Sequence, residues 1–338
     1  KLKSYIVYML TLRIYTTYMN RFEDSFLSTE ALEKERSDIE DFYKSKVQRL
    51  SFKTKDGYTV TAAKMDADDA TDTLVIIPGR GEIPHKFAEF LYTLNLLKIS
   101  AVILFARGQA ESTRLLQDLQ KCHINHFEDL AKDDLFMLDK LNIKNYKLLA
   151  FSLGGLVSLD IIKNFKNKPS KAALIAPYLW PFFNLPKPLL TGLVMTFGSL
   201  PFLSTMYTPH GKEYKKIPFE INHHSHSKER YEAYHDYYTK HPKLTIGGPT
   251  YRFVKEAMRK QMEIIDSTFT FTIPVYCQSA GCDKVVSTAV AEHFFENHQG
   301  DPVPPKFEII DNAYHDLINE SDEFRIRSLS NALDFLFD

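Results

Sequence analysis

Six short β-rich runs recur along the chain with helix-length segments between most of them, and this alternation limits the fold more than any other feature. The runs are TLVIIPG (73–79), AVILFA (101–106), KLLAFS (147–152), AALIAP (172–177), IPVYCQS (273–279) and FEII (307–310). Apolar residues on consecutive positions read as strands buried on both faces. Segments 84–98, 127–141, 154–167, 286–298 and 322–337 are long enough for helices. Strand and helix in turn predict an α/β protein, a mostly parallel sheet with helices on both faces. Ahead of the alternation, LSFKT and YTVTAAKM flank Asp56-Gly57 and predict a hairpin, and the charge-rich stretch 23–47 predicts a helix. The rhythm breaks once, between Pro177 and Ile273. The expected organisation is therefore an N-terminal helical extension (1–47), a core (48–177 and 271–338) and an inserted helical cap (178–270).

Composition narrows the class. With 44% hydrophobic and 25% charged residues, the 338-residue chain reads as globular rather than disordered, collagenous or multi-span. A formal net charge of −1 gives no reason to expect nucleic acid. Cys122, Cys277 and Cys282 lack a zinc-finger spacing and are expected to stay reduced in a cytosol-facing compartment. In the apolar N-terminus, Met9, Leu12, Tyr15, Met19 and Phe22 recur at helical spacing, with Lys1, Lys3, Arg13 and Arg21 nearby. The uncharged run from Ser4 to Leu12 is too short to span a bilayer. Two readings stay open for 1–22, a helix on a membrane surface or one packed on the protein's own core. A chain opening on Lys1 is also expected not to begin at its native start.

Candidate chemistry begins at Ala150-Phe151-Ser152-Leu153-Gly154-Gly155, where a strand gives way to a helix. It resembles the nucleophile elbow G-x-S-x-G with alanine at the first glycine, a turn needing small residues where backbones pass closely. A serine N-cap is the competing reading. A nucleophilic serine also needs a base, a carboxylate and an oxyanion hole. Asp283 follows the run 273–279 and His315 follows 307–310, so acid and histidine come after the serine at later strand ends. Alone, Asp283 reads as a turn or N-cap residue and His315 as a loop histidine. Pro78-Gly79-Arg80-Gly81-Glu82 follows the run 73–79. Gly79 and Gly81 let the loop turn an amide inward, so the backbone N–H groups of Arg80 and Leu153 are the expected oxyanion donors. No Gly-Lys-Ser/Thr follows to make the loop a phosphate cradle.

Neither Cys122, His123 and His126 nor His223, His224 and His226 shows a zinc spacing, and no metal or organic cofactor is expected. Lys187, Lys212, Lys215, Lys216 and Arg252 are candidates for a phospholipid headgroup, or solvated surface charge.

From about residue 40 onward the chain resembles the bacterial lysophospholipase L2 group of α/β-hydrolases, relatives of monoglyceride lipases. The resemblance rests on Ala106-Arg107-Gly108-Gln109 with Ser112, His123-Ile124-Asn125, Phe127-Glu128-Asp129 and the elbow. It extends to His226-Ser227-Lys228-Glu229-Arg230-Tyr231, Gly247-Gly248-Pro249-Thr250-Tyr251, and His315 followed by Glu320, Asp322 and Arg325. Phe105, Ala106 and Ala110 stand where the group usually has Asp-His and Gly, and Pro78-Gly79 where it has His-Gly. The resemblance implies an α/β-hydrolase fold and a serine hydrolase of single-chain lipid esters, lysophospholipids first. Monoacylglycerol lipase, carboxylesterase or acyltransferase chemistry would use the same triad, and a silent lipid-binding fold is the alternative from another class. It also implies a bacterial cytoplasmic protein or a peripheral one at the inner face of the inner membrane. The apolar opening of the cap is expected to wall a cleft suited to an acyl chain.

Overall fold

The computed structural model describes residues 20–70, 72–182, 187–209, 211–266 and 269–338. Eight strands form one sheet in the order β1-β2-β4-β3-β5-β6-β7-β8. They are β1 (Val47–Lys53), β2 (Thr59–Met65), β3 (Asp72–Ile77), β4 (Ile99–Phe105), β5 (Lys147–Phe151), β6 (Lys171–Ile175), β7 (Val275–Ala280) and β8 (Lys306–Ile310). β1 and β2 form the expected hairpin, with Lys53 opposite Thr59 and Gly57 at φ +88° in its turn. β2 joins β4 antiparallel, and every pairing from β4 to β8 is parallel.

The α-helices among the described residues are α1 (Thr29–Lys46), α2 (Ala88–Leu96), α3 (Glu128–Lys140), α4 (Leu153–Asn164), α5 (Lys187–Ser199), α6 (Pro201–Ser204), α7 (Lys228–Lys240), α8 (Tyr251–Ile265), α9 (Thr288–Glu296) and α10 (Asp322–Phe337). Strand periodicity explains how they layer. Successive side chains of a strand point to opposite faces. Leu74 and Ile76 of β3, with Ala101, Ile103 and Phe105 of β4, pack under α1, α2 and α10. Val75 and Ile77, with Val102 and Leu104, pack under α3, α4 and α9 on the other face. Both faces are covered, which is why the central strands carry continuous apolar runs. The mostly parallel sheet with helices on both faces is what the alternation predicts, and the fold is that of an α/β-hydrolase, as the resemblance implies.

The N-terminal stretch holding Met9, Leu12, Tyr15 and Met19 lies outside the described residues. Phe22, at its end, is buried edge-on against Phe337. Helices α5 to α8 lie between β6 and β7. α5 crosses α8 closely, since a Cβ on Gly198 would stand 2.5 Å from Cβ of Lys255. Trp180, Leu190, Val194 and Met258 fill that contact. Several ion pairs tie the segment to the core, among them Arg230 to Glu89 and Lys260 to Asp160, both at 2.9 Å, and Nδ1 of His226 lies 2.7 Å from Oε1 of Glu320. No helix among the described residues is long and apolar enough to cross a membrane.

Candidate active site

The elbow is a strained turn with no spare volume. Ser152 sits between β5 and α4 at φ +51°, ψ −112°, a backbone conformation that side-chain-bearing residues rarely adopt. Its N–H donates to the Ile175 carbonyl at 2.9 Å and its own carbonyl accepts from Tyr178 N at 2.9 Å. A Cβ on Gly154 would stand 2.1 Å from the Ile77 carbonyl oxygen, and one on Gly155 2.6 Å from Cβ of Pro177. Both positions therefore exclude any larger residue. Ala150 is different. It is fully buried within β5, in register between Ile77 and Leu174, where a methyl group has room.

Ser152 occupies the N-cap position of α4, yet its hydroxyl makes no capping bond. It instead lies 3.0 Å from Nε2 of His315, whose Nδ1 lies 2.6 Å from Oδ2 of Asp283. The carboxylate is held in turn, because Oδ1 of Asp283 accepts from Val285 N at 2.7 Å and Val286 N at 2.9 Å. With Nδ1–H donating to a carboxylate, Nε2 is left as the acceptor facing the hydroxyl. All three side chains are buried. The two loops that carry acid and base are joined by backbone bonds: Gly281 N donates to the Ile310 carbonyl and Cys282 N to that of Ala313, both at 2.9 Å. Parallel strands β5, β7 and β8 deliver all three residues to one edge of the sheet.

Beside the hydroxyl lies the Pro78–Glu82 loop. Gly79 N donates to Oε2 of Glu82 at 3.2 Å and Gly81 N to Oε1 of Gln109 at 2.8 Å. Among the described residues, the N–H groups of Arg80 and Leu153 take no hydrogen-bond partner, so both remain available. Beneath the loop is a buried charge cluster. The Lys86 ammonium bridges Oε1 of Glu82 at 2.5 Å and Oδ2 of Asp316 at 2.7 Å. Burial acts to lower its pKa, but Asp316 and Glu82 outweigh burial and hold it well above its ordinary value. Burial raises Asp316 too, yet Lys86 and Asn319 pull it below the usual carboxylate range, whereas burial wins at Glu82 and pushes it up. Asp316 is therefore the principal counter-ion. The cluster links the Pro78–Glu82 loop to the residue after His315.

A cavity of about 500 Å³ opens over Ser152 and His315. The inserted segment closes it with Thr208, Tyr214, Ile217, His224, Tyr231 and Tyr238, among others, but with no leucine or phenylalanine among its described residues. This departs from the expected apolar wall. Leu189, Leu193, Leu200, Phe202 and Met206 face outward instead, Phe202 with 80% of its surface exposed. The inward side of α5 is already occupied by its packing against α8.

Residues 68–322 match the family described as Hydrolase_4: Serine aminopeptidase, S33. The chain belongs to the Hydrolase_4 family. Lysophospholipase L2 of Escherichia coli (strain K12) is 28% identical over 306 residues, 88% of this chain and 89% of that protein. Probable lysophospholipase L2 of Haemophilus influenzae is 24% identical over 273 residues, 78% and 83% of the two chains. The same fold recurs in the crystal structure of Paleococcus ferrophilus monoacylglycerol lipase (TM-score 0.62, 15% identity, covering 85% of this chain and 98% of that one). It recurs again in a soluble variant of monoglyceride lipase from Saccharomyces cerevisiae in complex with a substrate analog (TM-score 0.63, 14% identity, 87% and 96%).

In this Hydrolase_4 chain the quoted motifs turn out to be supports for the site. Gln109 holds the Pro78–Glu82 loop, while Arg107 grips Asp133 through Nε and Nη2, each at 2.7 Å. Thr250 caps α8 and binds Nδ1 of His123 at 2.9 Å. The histidine groups do not converge: His126 is exposed, His223 meets the edge of the Tyr314 ring, and His226 pairs with Glu320. Of the basic candidates, Lys212 and Lys215 line the cavity. Lys216 pairs with Glu232 and Asp236, Arg252 with Glu256, and the Lys187 side chain lies outside the described residues. Sequence reading overlooked the Glu82–Lys86–Asp316 cluster. Its signal is an acid and a lysine four residues apart after the glycine loop, with a second acid adjoining His315.

Proposed function

We propose that this protein hydrolyses acyl esters of single-chain lipids, lysophospholipids first among them, through an acyl-enzyme formed on Ser152. The carrying observation is the hydrogen-bonded chain Asp283–His315–Ser152 at a strained turn. As Ser152 Oγ attacks the ester carbonyl, its proton passes to Nε2 of His315. Asp283 fixes the imidazole tautomer and stabilises the imidazolium that forms. The carbonyl oxygen, now an anion, is received by the N–H groups of Arg80 and Leu153. Each such donor contributes roughly 3 kcal/mol to transition-state stabilisation. The tetrahedral intermediate collapses, the C–O bond to the alcohol breaks, and His315 protonates the departing alkoxide. Water attacks the acyl-enzyme by the same route and releases the fatty acid.

The choice of a lipid ester is supported by the similarity to the lysophospholipases L2 along 88% of the chain. In this reading residues 178–270 act as a cap over the cleft, and their outward apolar face makes peripheral contact with a membrane surface. That face carries Leu189, Leu193, Leu200 and Phe202. No Asp or Glu occurs from Pro177 to Lys212, which suits an anionic lipid surface.

The test compares kcat/KM for lysophosphatidylcholine, a monoacylglycerol, a short p-nitrophenyl ester and an aminoacyl p-nitroanilide. Lysophospholipid is expected to lead, and Ser152→Ala to lower kcat by about 10⁴-fold or more with an unchanged melting curve. Turnover of the anilide alone would move the chain to peptidase chemistry. Activity surviving in Ser152→Ala would remove the proposed nucleophile.

A further inference from the structure

His224 faces the cavity beside the proposed base, and among the described residues no hydrogen bond uses its ring. Its backbone is set at both ends: the N–H donates to Oδ1 of Asn222 at 2.7 Å, and the carbonyl accepts from Asp316 N at 2.8 Å. Ser225 fastens the same turn by donating to the Asn319 carbonyl at 2.6 Å. The turn is thus fastened to the loop that carries His315, and the two imidazoles stand 6.1 Å apart at an interplanar angle of 72°. Among the described residues neither ring nitrogen of His224 takes a hydrogen bond, although the ring lines the cavity. The residue is half-buried and its ring lines the cavity, so a polar group entering the cavity is its natural partner.

Burial, with His315 and Lys86 nearby, holds the His224 pKa down to about 4. The ring is therefore neutral in ordinary buffers and offers one donor and one acceptor. A hydroxyl is the complementary group, since it also donates once and accepts. Stereochemistry supplies the side of the substrate. His315 must protonate the departing alkoxide, so the alcohol half of the ester lies next to His315, and His224 is the polar side chain adjoining it there.

Resting on the ester-hydrolase reading above, we infer that His224 is a specificity residue that hydrogen-bonds a free hydroxyl on the alcohol half of the substrate. The glycerol backbone of a monoacylglycerol or of a lysophospholipid carries such a hydroxyl close to the scissile ester, and a p-nitrophenyl ester does not.

The experiment measures kcat/KM of the full chain and of His224→Leu and His224→Gln on three esters of one acyl chain: the monoacylglycerol, the lysophospholipid and the p-nitrophenyl ester. His224→Leu is expected to lower kcat/KM for both glycerol esters on the order of tenfold to a hundredfold, as loss of one buried hydrogen bond does. The p-nitrophenyl ester should change by less than about twofold, since the triad is intact. His224→Gln, which keeps a donor and an acceptor, should recover most of the loss. An equal fall on all three esters would make His224 a support for His315 and overturn the inference. No fall on any of them would overturn it too, and a fall confined to the lysophospholipid would transfer the contact from the hydroxyl to the phosphate. Failure of the hydrolase reading itself shows separately, as p-nitrophenyl ester turnover that Ser152→Ala does not abolish.

Discussion

The two sides of the cavity are built on opposite terms. On the sheet side the catalytic and charged side chains near the elbow are engaged with one another or with the loop: Ser152 with His315, His315 with Asp283, Lys86 with Glu82 and Asp316, and Gln109 with Gly81. On the side of the inserted segment, aromatic and imidazole rings face the cavity while leucines and a phenylalanine face out. One side is closed on itself and holds its geometry before substrate arrives. The other leaves groups unpaired and apolar surface uncovered, which is what a surface that selects substrate and docks to lipid requires.

The largest effect should come from breaking the closed side. Lys86→Met leaves the Asp316 and Glu82 carboxyl groups buried without their cation, and removing one partner of a buried ion pair typically costs about 3–5 kcal/mol. Denaturant unfolding should show that loss as a lower midpoint. A midpoint near that of the parent would mean that the cluster carries no structural weight.

A smaller effect belongs to the outer face of the inserted segment. Leu193→Asp with Phe202→Asp should leave stability within about 0.5 kcal/mol, because both side chains are exposed. Affinity for anionic vesicles in co-sedimentation should fall about a hundredfold or more, given roughly 1.5–3 kcal/mol for each of two large apolar side chains buried in lipid. If vesicle binding were unchanged, the membrane would have to be met elsewhere.

Taken per pH unit, the pH dependence is a smaller effect than the loss of Lys86, and it again separates the two sides. Burial holds the His224 pKa down to about 4 and that of His235 down to about 3, against an ordinary 6.5. Above pH 6.5 both rings are neutral whether the chain is folded or not, and their contribution is fully present. As pH falls from 6.5 toward 4, the unfolded chain takes up protons that the folded chain refuses, so stability drops by about 1.4 kcal/mol per pH unit for each ring. Thermal melts across that window should slope less steeply in His224→Gln. An identical slope would show that the ring is charged, and so solvated, in the folded protein.

Legibility in the sequence follows the same division. The strand alternation and the hairpin could be read directly because each depends on near neighbours, side-chain period above all, and the elbow could be read from its small residues although Ile77 and Pro177, from neighbouring segments, set the steric limit on Gly154 and Gly155. The order serine, aspartate, histidine could be read because parallel strands bring their following loops to one edge. The direction in which α5 turns its leucines could not. Apolar composition alone looked like a cleft wall, and the outcome depended on Gly198 admitting α8 and so filling the inner face of the helix.

What the sequence determined by itself is thus the layered sheet, the motif that turns at Ser152 and the set of residue types that follow it, consequences of side-chain period and residue size. What only the tertiary structure decided is which groups remain unpaired. Lys86 is neutralised by Asp316, 230 positions later, and the ring of His224 stands edge-on to that of His315 with no hydrogen-bond partner among the described residues, because Asn222 and Asp316 hold its backbone. Pairing of buried polar groups is a property of three-dimensional proximity, and proximity across such separations is written in no local pattern.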